Sequence, residues 1–208
     1  MTRVFLASRN VKKLGEMRRI LDEHLPGVEV LGLDDVPPYD EPVEDQPTFT
    51  GNALLKARAG LAATGLPSMA DDSGLCVDAL NGMPGVLSAR WSGQPKSDAR
   101  NNSLLLQQLA DVPDERRGAH FTCVVALCAP ASPGGDDLEI VVEGRMDGRV
   151  IHETRGSGGF GYDVLFEAVE FPGRTTAELE PADKDSVSHR GRALREIAPQ
   201  VARVLAGG

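Results

Sequence analysis

Cysteine is scarce in this chain of 208 residues. It has three cysteines, Cys76, Cys123 and Cys128, and each of them lies inside an apolar run. They lack the paired spacing of a zinc site, and the four histidines are scattered along the chain. We therefore expect buried free thiols, as in a reducing cytoplasm, and no structural zinc.

Long apolar runs are also absent. No segment approaches the roughly 20 apolar residues that a membrane-spanning helix needs. The first ten residues, MTRVFLASRN, contain neither a long apolar stretch nor a small-residue cleavage site. No export signal is evident, so the sequence predicts a cytoplasmic protein that does not enter a membrane.

Positive charge is in deficit. Lysine and arginine number 22 against 31 acidic residues, and the net charge is −9. A general nucleic-acid binder needs a basic face to meet phosphates, so this class is not expected. A small phosphorylated ligand remains compatible, because a few cations gathered at one place with a divalent metal would be enough to bind it.

The remaining composition is that of an ordinary globular protein, with 41% hydrophobic and 25% charged residues. Helical and strand-like segments interleave without a strict βαβα rhythm. The opening reads as a βαβ unit, with strands at 3–7 and 28–33 around a helix that begins near Asn10 or Val11. We predict an α/β fold with a mixed sheet, organised as one domain of two lobes over residues 1–208.

Other elements are predicted from local signals. Thr48 and Ser97 are candidate N-caps of helices, and Gly65 with Pro67 is a stop signal. The expected strands are 68–73, 75–80, 119–129, 138–144 and 164–166, with a hairpin return at 148–151. Residues 186–205 read as mostly helical, with a kink at Pro199.

The first candidate site is the loop from Ser8 to Lys13. Amide groups at a helix N-terminus and the helix dipole together favour anions. Ser8 and Asn10 add donors, and Lys12 and Lys13 add positive charge. The alternative is a well-capped, lysine-rich and solvated helix start.

The second candidate is Asp71-Asp72-Ser73-Gly74, at or just after a strand. Side chains alternate along a strand, so we expect one acid to face a cleft and the other to brace the loop or a backbone N–H. Asp72 is the predicted metal ligand, with Glu44 of the acidic loop as a second carboxylate for Mg²⁺. The alternatives are a self-capping Asp-Ser-Gly turn and a solvated proline-rich loop.

The third candidate is the glycine-rich segment GSGGFGYD, residues 156–163. It matches G-x-G-x-x-G literally, but the strand formers YDVLF follow it where a dinucleotide site requires a helix. The glycines would let the backbone approach a flat ligand, with Phe160 and Tyr162 as stacking rings. The alternative is that Phe160 fills the core.

The fourth candidate comprises Lys184, His189 and Arg190, at or before a helix start with Ser188 as a cap. The guanidinium fork of arginine suits phosphate or a base carbonyl, and histidine donates or accepts near neutral pH. An exposed helix of mixed charge is the alternative.

Taken together, five ordered blocks resemble the inosine triphosphate pyrophosphatase family, which hydrolyses non-standard purine nucleoside triphosphates. The blocks are SRNVKKLGE, TFTGNALLKA, ADDSGLCVDALNGMPGVLSARWSG, GGFGYDVLF and SHRGRAL. The similarity runs from Arg3 to Leu205. It implies an elongated α/β fold of two lobes with a central cleft, a homodimer, and Mg²⁺-dependent hydrolysis of ITP, dITP or XTP to monophosphate and pyrophosphate.

The resemblance also implies roles for particular residues. The triphosphate loop falls on Ser8, Arg9, Asn10, Val11, Lys12 and Lys13. The catalytic, metal-linked aspartate falls on Asp72, with Ser73 beside the substrate and Lys13 supporting the leaving group. Base recognition falls on Phe160, Gly161, Tyr162, Asp163, Lys184, His189 and Arg190.

Two departures from the family pattern are visible. Arg9 stands where the family often has glycine, and Val43-Glu44-Asp45 stands where it tends to have adjacent glutamates. Three other functions remain open on the residues alone: a pyrophosphatase for other damaged bases or pyrimidines, a nucleotide-binding regulator without turnover, and a phosphatase that releases single phosphates.

Overall fold

The computed structural model describes residues 2–130 and 137–206, apart from the side chain of Lys12. Within these ranges the chain forms five α-helices and six strands. The helices are α1 (Val11–His24), α2 (Phe49–Thr64), α3 (Asp98–Gln108), α4 (Pro181–Val187) and α5 (His189–Ala206). The strands are β1 (Arg3–Leu6), β2 (Glu29–Leu31), β3 (Ser68–Val77), β4 (Gly118–Ala129), β5 (Leu138–Val150) and β6 (Phe166–Ala168).

The strands form one sheet in the order β2-β1-β3-β4-β5-β6. β1 pairs in parallel with β2, where Val4 lies opposite Val30, and in parallel with β3, where Phe5 lies opposite Ser68. β5 and β6 pair antiparallel. The predicted α/β fold with a mixed sheet is therefore confirmed, as is the opening βαβ unit.

Two compact units share the chain. Unit 1 comprises Met1–Asp72, Val124–Glu143 and Ala193–Gly208, and unit 2 comprises Ser73–Cys123 and Gly144–Arg192. Each unit has an apolar core of its own. Small residues of α2, such as Ala53 and Ala57, pack with Val124 and Ala126 in unit 1. Larger side chains fill the core of unit 2, including Leu105, Phe121, Tyr162 and Phe166.

The predicted caps set the ends of the helices. Thr48 Oγ1 accepts the N–H of Gly51 at 3.0 Å, and Gly65, in the left-handed conformation, donates its N–H to Leu61 and ends α2. Ser97 Oγ accepts the N–H of Arg100 at the start of α3. These signals were readable in the sequence because a cap depends on residues only a few positions away.

Three predictions of secondary structure are corrected. Residues 148–151 do not form a hairpin return, since β5 continues to Val150. Gly148 is required there because a Cβ atom would lie 2.2 Å from the carbonyl oxygen of Glu167 on the paired strand β6. Residues 78–80 and 163–165 are 3₁₀ turns, and the last strand begins at Phe166. The C-terminal region is mostly helical, as predicted, and consists of two helices that meet at Ser188.

Helix α5 is assigned without a break across Pro199. In residues 2–130 and 137–206 no helix is both long and apolar enough to cross a membrane.

Candidate active site

In the loop between β1 and α1, side chains accept hydrogen bonds from nearby main-chain N–H groups. Ser8 Oγ accepts the N–H of Asn10 at 3.1 Å, and Asn10 Oδ1 accepts the N–H of Lys13 at 3.3 Å. The first turn of α1 contains no acidic residue, so no carboxylate of that turn offsets the positive end of the helix dipole. Val11 is exposed on this turn. The helix start at the predicted anion site is therefore capped, and anion binding there stays a prediction. The side chain of Lys12 lies outside the described residues.

Arg9 ties this loop to the acidic loop that follows β2. Its guanidinium forms an ion pair with Glu41 and lies 3.6 Å from Asp34. The hydrogen bond that Arg9 donates to the carboxylate of Glu41 raises the pKa of Arg9 above its ordinary value. The residue that stands in place of a glycine therefore has carboxylate partners, and it is more than half exposed.

Lys13 balances the first acid of the Asp71-Asp72 pair. Its ammonium lies 2.8 and 2.7 Å from the two carboxylate oxygens of Asp71. Asp71 is only 7% exposed, and the ammonium of Lys13 offsets the cost of burying its carboxylate. Asp71 therefore braces α1 against β3, as we expected of one of the two acids.

Asp72 is held from the opposite direction, by helix α2. Its Oδ2 accepts a hydrogen bond of 2.9 Å from the amide of Asn52, which is fully buried. Asn52 Oδ1 in turn accepts the N–H of Gln46 at 3.0 Å. The two adjacent acids thus have different partners on different helices, as the alternation of side chains along β3 requires.

Glu44 is positioned by Lys56. The ammonium of Lys56 donates to Glu44 Oε1 at 2.6 Å and to the carbonyl oxygen of Asp71 at 2.6 Å. A single cation therefore joins the carboxylate of Glu44 to the main chain that leads into Asp72. We name Lys13, Glu44, Lys56, Asp71 and Asp72 the lysine–carboxylate centre; all five lie in unit 1.

Asn52 and Lys56 were not among the predicted site residues. Both lie on α2, four positions apart, so they share one face of the helix. The signal that could have found them is the block TFTGNALLKA, which contains an amide and a lysine at this helical spacing.

The oxygen donors of this centre fit a magnesium ion. The described residues contain no group of three or more histidine, cysteine or acidic side chains placed to hold a metal. Mg²⁺ rarely needs such a group, since one or two carboxylates suffice when water and substrate phosphates fill the other positions. Asp72 and Glu44 are hard oxygen donors of this kind, and Asn52 and Lys56 connect both to the same part of β3.

In unit 2, Asp163 organises the glycine-rich loop. Its carboxylate is 5% exposed and accepts the N–H of Phe160 at 2.8 Å, the ammonium of Lys184 at 2.6 Å and the hydroxyl of Thr176 at 2.8 Å. A Cβ atom on Gly159, whose φ is +76°, would lie 2.1 Å from Asp163 Oδ2. Glycine is therefore needed there to let the loop close over the carboxylate.

The ring of Phe160 is 57% exposed, so it does not fill the core. Lys184 Nζ lies 5.5 Å and Arg190 Cζ 5.9 Å from the ring centroid, both within cation–π range. Arg190 also donates to Ser73 Oγ at 3.4 Å. We name Ser73, Phe160, Asp163, Lys184 and Arg190 the phenylalanine centre.

His189 begins α5 and stacks on Phe121. The two rings lie 4.9 Å apart at an interplanar angle of 13°. Ser188 Oγ accepts the N–H of Gly191 at 3.0 Å, which confirms it as the cap of this helix. Packing therefore sets the orientation of the imidazole.

Tyr162 does not provide a second exposed ring, and that expectation is corrected. Only 4% of Tyr162 is exposed, and its hydroxyl donates to the carbonyl oxygen of Ser88 at 2.9 Å. Burial raises the pKa of this phenol well above its ordinary value. The loop buries one ring in the core of unit 2 and leaves the other exposed.

The structure thus gathers the predicted residues in two places. Unit 1 contains Ser8, Arg9, Asn10, Val11, Lys13, Glu44 and Asp72, and unit 2 contains Ser73, Phe160, Gly161, Tyr162, Asp163, Lys184, His189 and Arg190.

The fold and the side chains define a class: a mixed α/β protein with a capped helix start, a lysine–carboxylate centre and a glycine loop that exposes a phenylalanine between two cations. The chain belongs to the Ham1 family, whose sequence model matches residues 4–200. This match and the relatives below confirm the resemblance seen in the sequence.

Named relatives cover nearly the whole chain. A dITP/XTP pyrophosphatase of Nocardia farcinica is 61% identical, over 97% of this chain and 96% of its own length. A dITP/XTP pyrophosphatase of Corynebacterium efficiens is 54% identical, over 99% of both chains.

Solved structures agree with the fold. A crystal structure of a nucleoside-triphosphatase, also titled dITP/XTP pyrophosphatase, from Mycobacterium abscessus has a TM-score of 0.77 at 54% identity, covering 95% of this chain and 99% of its own. The Ham1 protein of Staphylococcus aureus has a TM-score of 0.84 at 33% identity, covering 99% and 98%.

Proposed function

We propose that this chain hydrolyses non-standard purine nucleoside triphosphates, ITP, dITP and XTP, to a nucleoside monophosphate and pyrophosphate in the presence of Mg²⁺. The observation that carries the proposal is the lysine–carboxylate centre, in which Lys56 and Asn52 present Glu44 and Asp72 from one helix face. The names of the relatives support the choice of substrate.

The lysine–carboxylate centre is assigned to the phosphate end of the substrate. Asp72 and Glu44 would hold Mg²⁺, which would supply positive charge to neutralise the phosphate oxygens. Asp72, oriented by Asn52, accepts the proton of the water that attacks the phosphorus atom. Lys13 and the N-terminus of α1 stabilise the charge that develops on the departing pyrophosphate.

The phenylalanine centre is assigned to the base. Phe160 stacks on the purine, while Arg190 or His189 donates a hydrogen bond to the carbonyl at position 6 of hypoxanthine or xanthine. Adenine has an amino group at that position and would leave the donor unpaired, which discriminates strongly in a desolvated site. Asp163 does not contact the base in this assignment, because Phe160, Lys184 and Thr176 already occupy its carboxylate.

The proposal includes a homodimer in the cytoplasm, as the family resemblance implies. Its supports are the resemblance and the reducing environment that the three free cysteines favour.

The test is a comparison of ITP, XTP, ATP and GTP with Mg²⁺, with pyrophosphate and orthophosphate measured separately. Rapid pyrophosphate release from ITP and XTP, with slow turnover of ATP and GTP, is the expected result. Equal rates on all four would contradict the specificity, and orthophosphate as the product would indicate a phosphatase. Nucleotide binding without turnover would indicate a regulator.

A further inference from the structure

Helix α3 holds the peptide groups of Gly161 by two side chains. Asp98 Oδ2 accepts the N–H of Gly161 at 2.7 Å, and Asn102 Nδ2 donates to its carbonyl oxygen at 2.9 Å. Asp98 and Asn102 are four residues apart and therefore lie on one face of α3. A donor and an acceptor of the same loop residue are thus bound by the same helix.

Gly161 is a position where such restraint matters. Its φ is +62°, in the left-handed region that residues with a side chain rarely adopt. It directly follows the exposed Phe160. Glycine allows this turn but does not favour it over others, because it populates many conformations. The N–H of Phe160 is bound by Asp163 on the other side. The main chain that carries the exposed ring is therefore hydrogen-bonded at the N–H of Phe160 and at the N–H and carbonyl of Gly161.

The anchoring helix is itself fixed. Asn101 of α3 accepts the N–H of Ser92 at 2.8 Å and donates to the carbonyl oxygen of Ser88 at 3.3 Å. The hydroxyl of Tyr162 donates to the same oxygen of Ser88. The segment around Ser88 therefore links α3 to the residue that follows Gly161.

The burial of the side-chain oxygen of Asn102 is not explained by protein stability alone. The residue is 6% exposed, and within residues 2–130 and 137–206 no hydrogen-bond partner reaches its buried Oδ1. A buried unpaired acceptor is destabilising. An asparagine at this position is consistent with a requirement for its Nδ2 contact to Gly161.

We propose that Asp98 and Asn102 are positioning residues for base recognition. They set the conformation of the Gly161 peptides, and through it the orientation of the Phe160 ring relative to Lys184 and Arg190. This inference rests on the proposed function, since it takes Phe160 as the residue that stacks on the base. Neither Asp98 nor Asn102 is assigned a contact with substrate.

The experiment compares Asp98→Ala with Asp98→Asn, using ITP hydrolysis and thermal denaturation. Both variants remove the carboxylate charge near the start of α3, but only asparagine keeps an acceptor for the N–H of Gly161. We expect Asp98→Ala to raise KM about 5- to 10-fold with little change in kcat, as for the loss of one charge-assisted hydrogen bond. Asp98→Asn should restore a KM close to that of the wild type.

Ser97→Ala is the matched control for helix stability. It removes the N-cap of α3 but not the contact with Gly161, so it should lower Tm and leave KM unchanged. A rise in KM with Ser97→Ala equal to that with Asp98→Ala would overturn the proposal, because stability of the helix alone would then explain both. So would an Asp98→Asn variant as impaired as Asp98→Ala.

A double-mutant cycle then tests whether Asp98 acts through Phe160. In the Phe160→Ala background, Asp98→Ala should change KM by less than twofold, because the ring it positions is gone. A full multiplicative effect would contradict the positioning role. A second cycle uses Asn102→Ser, which removes the amide that donates to the carbonyl oxygen of Gly161.

Hydrogen exchange separates failure of this inference from failure of the proposed function. The Gly161 amide should exchange faster in Asp98→Ala than in the wild type or Ser97→Ala, whether or not ITP is a substrate. If the wild type does not hydrolyse ITP, the proposed function is wrong, and base positioning fails with it even if the exchange result holds. If ITP is hydrolysed and the Gly161 amide is unaffected by Asp98→Ala, only the positioning inference is wrong.

Discussion

The lysine–carboxylate centre and the phenylalanine centre are built by different forces. In the first, Lys13 holds Asp71, Lys56 holds Glu44 and buried Asn52 holds Asp72, so its side chains are ordered by charge and amide contacts. In the second, hydrogen bonds to the main chain hold the loop, and the ring of Phe160 is exposed. In the lysine–carboxylate centre the contacts act directly on the side chains. In the phenylalanine centre they act on the backbone that carries the Phe160 ring.

This difference bears on what each centre can do. Fixed, partly buried charges suit a reaction in which phosphate charge and a proton must be accommodated without rearrangement. An exposed ring on a restrained loop suits recognition of a flat group, where stacking supplies affinity and the neighbouring donors supply selectivity. We therefore expect changes in the first centre to act mainly on kcat and changes in the second to act mainly on KM.

The largest effect is expected for Asp72→Asn. Loss of the proton acceptor should lower kcat by about 100- to 10,000-fold. Binding of ITP, measured by calorimetry, should persist, because the variant retains Lys13 and the N-terminus of α1, the groups proposed to bind phosphate. Asp111→Asn, a change at an exposed acid, is the control. Hydrolysis at the wild-type rate by Asp72→Asn would disprove its catalytic role.

Lys56→Met tests whether the cation that positions Glu44 is required. It keeps much of the side-chain length but removes two charge-assisted hydrogen bonds, so kcat/KM should fall about 10- to 100-fold. The Mg²⁺ concentration for half-maximal rate should rise, since Glu44 is no longer oriented. The same substitution at exposed Lys96 should leave both quantities unchanged. An unaltered Mg²⁺ dependence in Lys56→Met would separate Glu44 from the metal.

Phe160→Ala tests the phenylalanine centre. Losing a stacking platform should raise KM for ITP about 5- to 100-fold, with kcat within about twofold of the wild type. Phe160→Trp should retain most of the affinity, and Val169→Ala is a control at another exposed apolar residue of unit 2. A large fall in kcat at unchanged KM would contradict the division of labour between the centres.

The smallest effect is expected for Tyr162→Phe. The variant loses the hydrogen bond to Ser88, which should lower the free energy of unfolding by about 1 kcal/mol in denaturant titrations. KM should not change, because the ring lies in the core. A rise in KM comparable to that of Phe160→Ala would restore Tyr162 as a base-flanking residue.

Local signals predicted much of the fold. The caps at Thr48 and Ser97, the start of α1 and the βαβ opening depend on residues a few positions apart, and all are confirmed. The predicted hairpin at 148–151 was wrong, since β5 continues through Gly148 to Val150. Nothing adjacent in the sequence shows why the chain needs a glycine at position 148. The reason is the close approach of Glu167, which is 19 positions away.

Some residues of the candidate site were predicted from the sequence and others were not, because only some of them give a local signal. The Asp71-Asp72 pair and the glycine loop stand out because unusual residues are adjacent. Asn52 and Lys56 do not, since their roles depend on acids 15 and 20 positions along the chain. Phe160 and Tyr162 look equivalent in GGFGYD, and packing alone decided which ring is buried.

The sequence by itself determined which chemical groups are available. These are a helix start with no acidic residue in its first turn, two adjacent acids, a glycine loop with aromatic residues and a set of cations. Covalent order and local propensity are sufficient for that. Tertiary structure alone decided the partners, giving Lys13 to Asp71, Asn52 to Asp72 and Asp98 to Gly161. Such pairings depend on distances between elements remote in the chain, which are set by how the sheet and helices pack.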